Sequence, residues 1–219
     1  MGCAQRRNGE DAMSHYHQSR CASLTVALLA VTLRASGGAD PPAMAHTHEH
    51  HQHMLASAPV VTQSRHAYSV PDAVLLDGQG RSVPLRTLLA PERPVILNFI
   101  YTSCTTICPV MTGTMLQVQR QLAGAPHAPI YVSLSIDPDF DVPPVLQAYA
   151  ARYGADWHFL TGAPPEVQAI LQHFDAWRGT KANHAALTLM RAANDTQWTR
   201  VEGLASAQEL VGAWNAIAR

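Results

Sequence analysis

The run Val95-Ile-Leu-Asn-Phe-Ile-Tyr-Thr-Ser-Cys-Thr-Thr-Ile-Cys-Pro109 sets two thiols, Cys104 and Cys108, directly behind a nearly unbroken apolar segment. From Val95 to Tyr101 the residues are mostly β-branched, aliphatic or aromatic, which predicts a strand buried on both faces. Met111 to Leu122 then reads as a helix, with Gly124 near its end. In open α/β sheets, ligands bind where such a strand ends. The following helix N-terminus adds unpaired N–H groups and a positive dipole end, and both favour thiolate over thiol. If Cys104 and Cys108 sit across one helical turn, as i and i+4, their sulfurs point the same way. That spacing allows a disulfide or two soft ligands on one ion.

The pattern outward from this run alternates strands and helices. Pro129 to Ile136 predicts a second buried strand, closed by Asp137-Pro-Asp-Phe-Asp141. Upstream, Val74 to Val83 holds two short apolar pieces around a Gly-rich turn, a hairpin signal. Downstream, Val145 to Tyr153 is a predicted helix closed by Gly154, Trp157 to Leu160 a strand, and Pro165 to Phe174 a helix. Leu187–Met190 and Trp198–Val201 flank an Asn194-Asp195 turn, and Ser206 with Glu209 forms a capping-box pattern before a last helix. This order predicts an α/β domain with a central mixed sheet flanked by helices and an N-terminal hairpin.

Composition limits the function. The 219 residues suit one domain with tails. A net charge of −1 leaves no electrostatic footprint for nucleic acid. Residues 1–45 read as a signal peptide or an uncleaved N-terminal anchor, with a twelve-residue apolar core from Ala22 to Leu33 and a cleavable Ala43-Met44-Ala45. Either way, the body lies in the periplasm or another extracytoplasmic space. Cys3 and Cys21 fall in that leader, so Cys104 and Cys108 read as a site and not as one pair of a disulfide scaffold. Residues 46–65 form a flexible segment, in which His46 to His53 carries five imidazoles suited to copper or zinc capture. The globular domain is expected over 66–219.

Strand, Cys-x-x-x-Cys-Pro, helix, strand, and Ser135-Ile-Asp-Pro-Asp-Phe-Asp141 together resemble the Sco/SenC family, from about His66 to Arg219. The family's downstream histidine is matched by His184, ahead of Leu187-Thr-Leu-Met190. The resemblance implies a thioredoxin-like fold that binds copper, Cu(I) or Cu(II), through Cys104, Cys108 and His184, with Asp137 beside the metal. It implies a copper chaperone that delivers to the dinuclear copper site on the copper-bearing subunit of cytochrome c oxidase. Other periplasmic copper chaperones or thiol reductants are further candidate partners. Two thiolates suit Cu(I), and imidazole serves both oxidation states. Asp137 would orient His184 through its second ring nitrogen or tune the local charge. Zinc would also accept two cysteines, a histidine and water.

An alternative uses Cys104 and Cys108 as the catalytic pair of a thiol–disulfide oxidoreductase that keeps acceptor cysteines reduced, so enzymatic activity is open. A peroxiredoxin-like reading of Thr105-x-x-Cys108 finds Tyr101 where that motif needs proline, and it leaves Cys104 and His184 without a role. Met111 and Met115 read as core filling. His66, His127, His158 and His173 have no support as ligands. Two departures from the family pattern are Asn183, at a position often acidic, and the 191–197 turn, which lacks an Asp-Gly-like pair.

Overall fold

The structure, a computed structural model, describes residues 60–218. The expected leader and the His46–His53 run lie outside the described residues. The decisive run forms strand β4 (Val95–Ile100), buried at every residue, and its neighbours explain why. It pairs in parallel with β5 (Ile130–Ser135) on one side and antiparallel with β7 (Leu187–Arg191) on the other. A strand enclosed this way has no solvent face, so apolar residues are needed on both.

The sheet grows outward from β4. Beyond β5 come β6 (His158–Thr161), in parallel, then β2 (Val74–Asp77) and β3 (Ser82–Pro84), both antiparallel. Beyond β7 come β8 (Gln197–Glu202) and β1 (Thr62–Ala67), both antiparallel. The result is one eight-stranded mixed sheet in the order β1-β8-β7-β4-β5-β6-β2-β3. The predicted fold class and the N-terminal hairpin match this architecture.

Strand alternation divides the core. Val95, Leu97 and Phe99 point to the face covered by α4 (Pro164–His173), where Ile170, Phe174 and Trp198 pack. Ile96 faces the other side, with Met115 and Val118 of α2 (Ile107–Gln121) and Leu210 and Trp214 of α5 (Ala207–Ile217). Each such fully buried side chain contributes roughly 1.5–3 kcal/mol of transfer free energy. Ile100 at the strand end joins a third cluster with Cys104, Cys108, Leu146 and Tyr149. The last two come from α3 (Pro143–Tyr153), which ends on Gly154 in the left-handed region at φ 62°.

Several expectations need correction. The ordered body begins before His66, because Thr62–Ala67 is a paired strand and not part of a flexible segment. Its residues are polar and mostly exposed, the composition of a protected edge, so no apolar alternation announces it. Helix α2 starts at Ile107, ahead of the expected Met111, with Pro109 in its first turn, where a missing N–H costs nothing. The two cysteines therefore do not share a helical face: Cys104 precedes the Thr106 N-cap and Cys108 lies inside the helix. The turn without Asp-Gly still closes β7 onto β8, since Asn194 takes the left-handed conformation at φ 58°. The capping box is present, with Ser206 and Glu209 bonded reciprocally. A short helix α1 (Leu85–Leu88) had no counterpart in the sequence reading.

Candidate functional site

The chain leaves β4 at Ile100 and turns back at once, the Cys104 N–H donating to the Tyr101 carbonyl at 3.2 Å. This puts the Cys104 sulfur at the start of α2, where the Cys108 N–H donates to it at 3.4 Å and the Thr106 hydroxyl lies 3.6 Å away. The sulfur takes the place of a side-chain cap on an otherwise uncapped helix N-terminus. Burial alone would raise the Cys104 pKa, but N–H groups of Cys108 and Thr106, together with those side chains, bring it down to about 6. Cys108 behaves in the opposite way. It is fully buried, and burial pushes its thiol up to about 12, with the Cys104 charge adding to the shift. Both cysteines are free thiols. Near neutral pH the first thus favours thiolate and the second keeps its proton.

His184 follows a short 3₁₀ turn at Lys181–Asn183. Its Nε2 lies 2.9 Å from the Phe99 carbonyl on β4. A carbonyl only accepts, so Nε2 carries the proton and the neutral ring keeps its lone pair on Nδ1. Burial lowers the His184 pKa against the opposing pull of that hydrogen bond, which favours the neutral, ligand-competent form. A ring nitrogen that donates to a backbone carbonyl while the other stays free is the usual arrangement of a metal-binding histidine. The donor chemistry therefore fits a soft or borderline metal.

Tyr101 links the two regions. Its ring meets His184 edge-on with centroids 6.2 Å apart. Burial pushes its hydroxyl pKa up to about 12, and hydrogen bonding to Cys104 adds to that. Among the described residues, no three His, Cys, Asp or Glu side chains stand together closely enough to share an ion. The Cys108 N–H reaches the Cys104 sulfur, whereas His184 is turned onto Phe99 and packed on Tyr101.

Asp137 does not meet His184. Its carboxylate accepts from Lys181 Nζ at 2.5 Å and its N–H donates to Ser135 Oγ at 3.0 Å. The orienting role on Nε2 belongs to the Phe99 carbonyl. Asp137 still reaches the histidine segment indirectly, through Lys181, three residues before His184.

Two residues near the thiols escaped the sequence reading. Asp141 is fully buried and accepts from the Thr102 N–H, from the Thr102 hydroxyl and from the Ser135 hydroxyl at 2.5 Å. Burial raises its pKa while those bonds hold it down. It clamps the segment between β4 and Cys104 to the end of β5. Its signal was the quoted Asp-Pro-Asp-Phe-Asp, whose last member returns to the sheet because its N–H donates to the Asp137 carbonyl at 2.8 Å. Tyr101 is the other. His66 and His173 instead pack around Tyr68 at the β1 side, and Met111 and Met115 are buried. The peroxiredoxin-like reading requires Cys108 as nucleophile, yet that is the buried, high-pKa thiol.

The family model described as SCO1/SenC matches residues 63–216, and the chain belongs to that family. The SCO1 protein homolog of Bacillus subtilis is 35% identical over 98 residues, which cover 43% of this chain and 50% of that protein. The chain spans about half the length of the curated relatives it matches, 50% and 46%. The fold is also that of BsSco, a Sco-family cytochrome c oxidase assembly protein with an identified disulfide switch. That match has TM-score 0.59 and 24% identity, covering 71% of this chain and 96% of the other. Bradyrhizobium japonicum ScoI, solved with copper bound, matches with TM-score 0.55 and 20% identity over 67% of this chain and 98% of its own.

Proposed function

We propose that this protein is an exported copper chaperone that holds copper at Cys104, Cys108 and His184 and delivers it to the dinuclear copper site of cytochrome c oxidase. The observation that carries this reading is the donor set: a Cys104 sulfur bonded by the Cys108 N–H at 3.4 Å, joined through Tyr101 to an imidazole with its Nδ1 lone pair free. Soft thiolates suit Cu(I) and imidazole serves Cu(II) as well, so the set works in both states. The copper-bound ScoI and the assembly role of BsSco support the same assignment.

The residues divide the work. Cys104, a thiolate at neutral pH, is the first sulfur to engage the cargo. Cys108 must lose its proton on loading, so uptake releases protons. His184 completes the set by turning Nδ1 inward while Phe99 keeps its other nitrogen. Asp137 tunes the charge of the segment through Lys181. The acceptor is the copper-bearing oxidase subunit, whose own ligands replace these one at a time. Residues 1–45 act as leader or anchor and place the domain outside the cytoplasm, and the histidine run tethers it.

A second reading rests on the opposed thiols, about 6 and about 12. Cys104 thiolate attacks an acceptor disulfide, forming a mixed disulfide and expelling the other acceptor sulfur as thiolate. Cys108 then attacks Cys104, releasing the reduced acceptor and leaving a Cys104–Cys108 disulfide. Two electrons pass to the acceptor, and an external thiol reductant resets the pair.

Anaerobic copper titration of the reduced chain, with His46, His48, His50, His51 and His53 replaced by serine, separates the readings. A single equivalent with thiolate-to-copper absorption, lost in Cys108→Ser, is expected for the chaperone. No tight copper, with a readily reversible Cys104–Cys108 disulfide, would leave the thiol reductant.

A further inference from the structure

The segment between β5 and α3 turns tightly, the Phe140 and Asp141 N–H groups both donating to the Asp137 carbonyl at 3.1 and 2.8 Å. The turn sends Asp141 inward at 0% exposure and Phe140 outward at 52%, with Val142 at 44% beyond it. A single exposed apolar side chain needs no explanation. Phe140, however, borders a groove of about 370 Å³ whose walls include Thr102, Ser103, Val145, Tyr149 and Arg152. Thr102 and Ser103 directly precede Cys104, so the groove lies against the segment that carries the reactive sulfur. Arg152 is the charged residue of its lining, is exposed, and makes no salt bridge among the described residues. The Asp141 clamp on Thr102 ties the Phe140 turn to the cysteine segment, so the apolar wall and the sulfur hold one relative position.

We propose that this groove seats the polypeptide of the acceptor protein beside its cysteines, with an apolar side chain against Phe140 and a carboxylate on Arg152. The inference rests on the reading that Cys104 exchanges metal or electrons with another protein. Cys104 is only 6% exposed, so a partner sulfur must be guided to it. A rigid aromatic wall supplies contact area at little entropic cost, and one unpaired guanidinium selects the sign of the neighbouring charge.

The test uses the full reduced chain and short disulfide-bridged peptides whose residues beside the cysteines are Leu and Glu, Leu and Lys, or two serines. In exchange, the Cys104 thiolate forms a mixed disulfide and the displaced peptide sulfur leaves as thiolate, so no other reductant is needed. The Leu–Glu peptide is expected to react about tenfold faster than the serine peptide. Phe140→Ser should remove that advantage, and Arg152→Glu should transfer the preference to the Leu–Lys peptide. Neutral hydroxyethyl disulfide, too small to need the groove, should react alike with parent and variants. Equal rates for all three peptides, or a ranking unmoved by both variants, overturns the proposal. So does parent self-association in sedimentation that Phe140→Ser abolishes, which would assign the groove to a second copy of the chain. Fluorescence anisotropy with serine-for-cysteine Leu–Glu peptide separates docking from chemistry. Phe140-dependent binding without any exchange sustains the groove and removes the thiol reading.

Discussion

The cysteine segment and the histidine segment lie on either side of Tyr101, and they are held in different ways. Around Cys104 the sulfur is held at a helix N-terminus by the Cys108 N–H, and the backbone just before it is tied to the end of β5 by the buried Asp141. Around His184 the chain runs through exposed Lys181, Ala182 and Asn183, with one hydrogen bond to Phe99 and one edge contact to Tyr101 fixing the ring. The rigid half sets the chemistry of sulfur in advance. The looser half holds its ring by fewer bonds, which fits the proposed carrier, whose ligands must also let go.

The largest effects belong to the rigid half. Cys104→Ser and Cys108→Ser should each abolish tight copper binding in an anaerobic titration, since either change removes a soft thiolate. Their reactivities should differ. Thiolate absorbance and alkylation of the parent at Cys104 should rise with a midpoint near pH 6, and Cys104→Ser should erase this step while Cys108→Ser retains it. The folded value of about 6 lies below an ordinary thiol, so this stabilisation is present above the ordinary value and fades as pH falls through about 6. A midpoint near the ordinary value would mean that the helix end does not hold the sulfur. Asp141→Ala comes next. It leaves the Thr102 N–H and two hydroxyls without their buried acceptor, and should cost about 3 kcal/mol in urea unfolding. A loss under about 1 kcal/mol would remove the clamp from the comparison.

The same contrast explains what the sequence could tell. Val95–Ile100 and Ile130–Ser135 were legible because strands buried on both faces need unbroken apolar runs, and Cys104-x-x-x-Cys108 was legible because it follows one of them. Thr62–Ala67 was not, because an edge strand paired on one side keeps polar residues. The opposed acidities of the thiols were equally hidden, since identical residue types acquire opposite pKa shifts only from their places ahead of and inside α2. Asp141 and Tyr101 act across the fold, on partners far along the chain, and no local spacing marks such contacts. His184 was legible only through family resemblance, and its orientation onto Phe99 is set by a bond between residues 85 apart in the chain.

The looser half should give smaller effects. His184→Ala should weaken copper binding about tenfold, with the greater loss for Cu(II), because imidazole matters more to that state than to a thiolate-bound Cu(I). Parent-like binding of both states would show that the histidine segment never closes on the sulfurs. Lys181→Ala is the mildest change. Its partner Asp137 is largely buried while Lys181 is half exposed, so the pair should contribute under about 1 kcal/mol to stability. Its effect should instead appear in kinetics. Freed from Asp137, the segment that carries His184 should swing more readily, raising copper release to a competing chelator in stopped flow with little change in the unfolding midpoint. If release stays at the parent rate while Lys181→Ala lowers the midpoint, the ion pair is a structural tie.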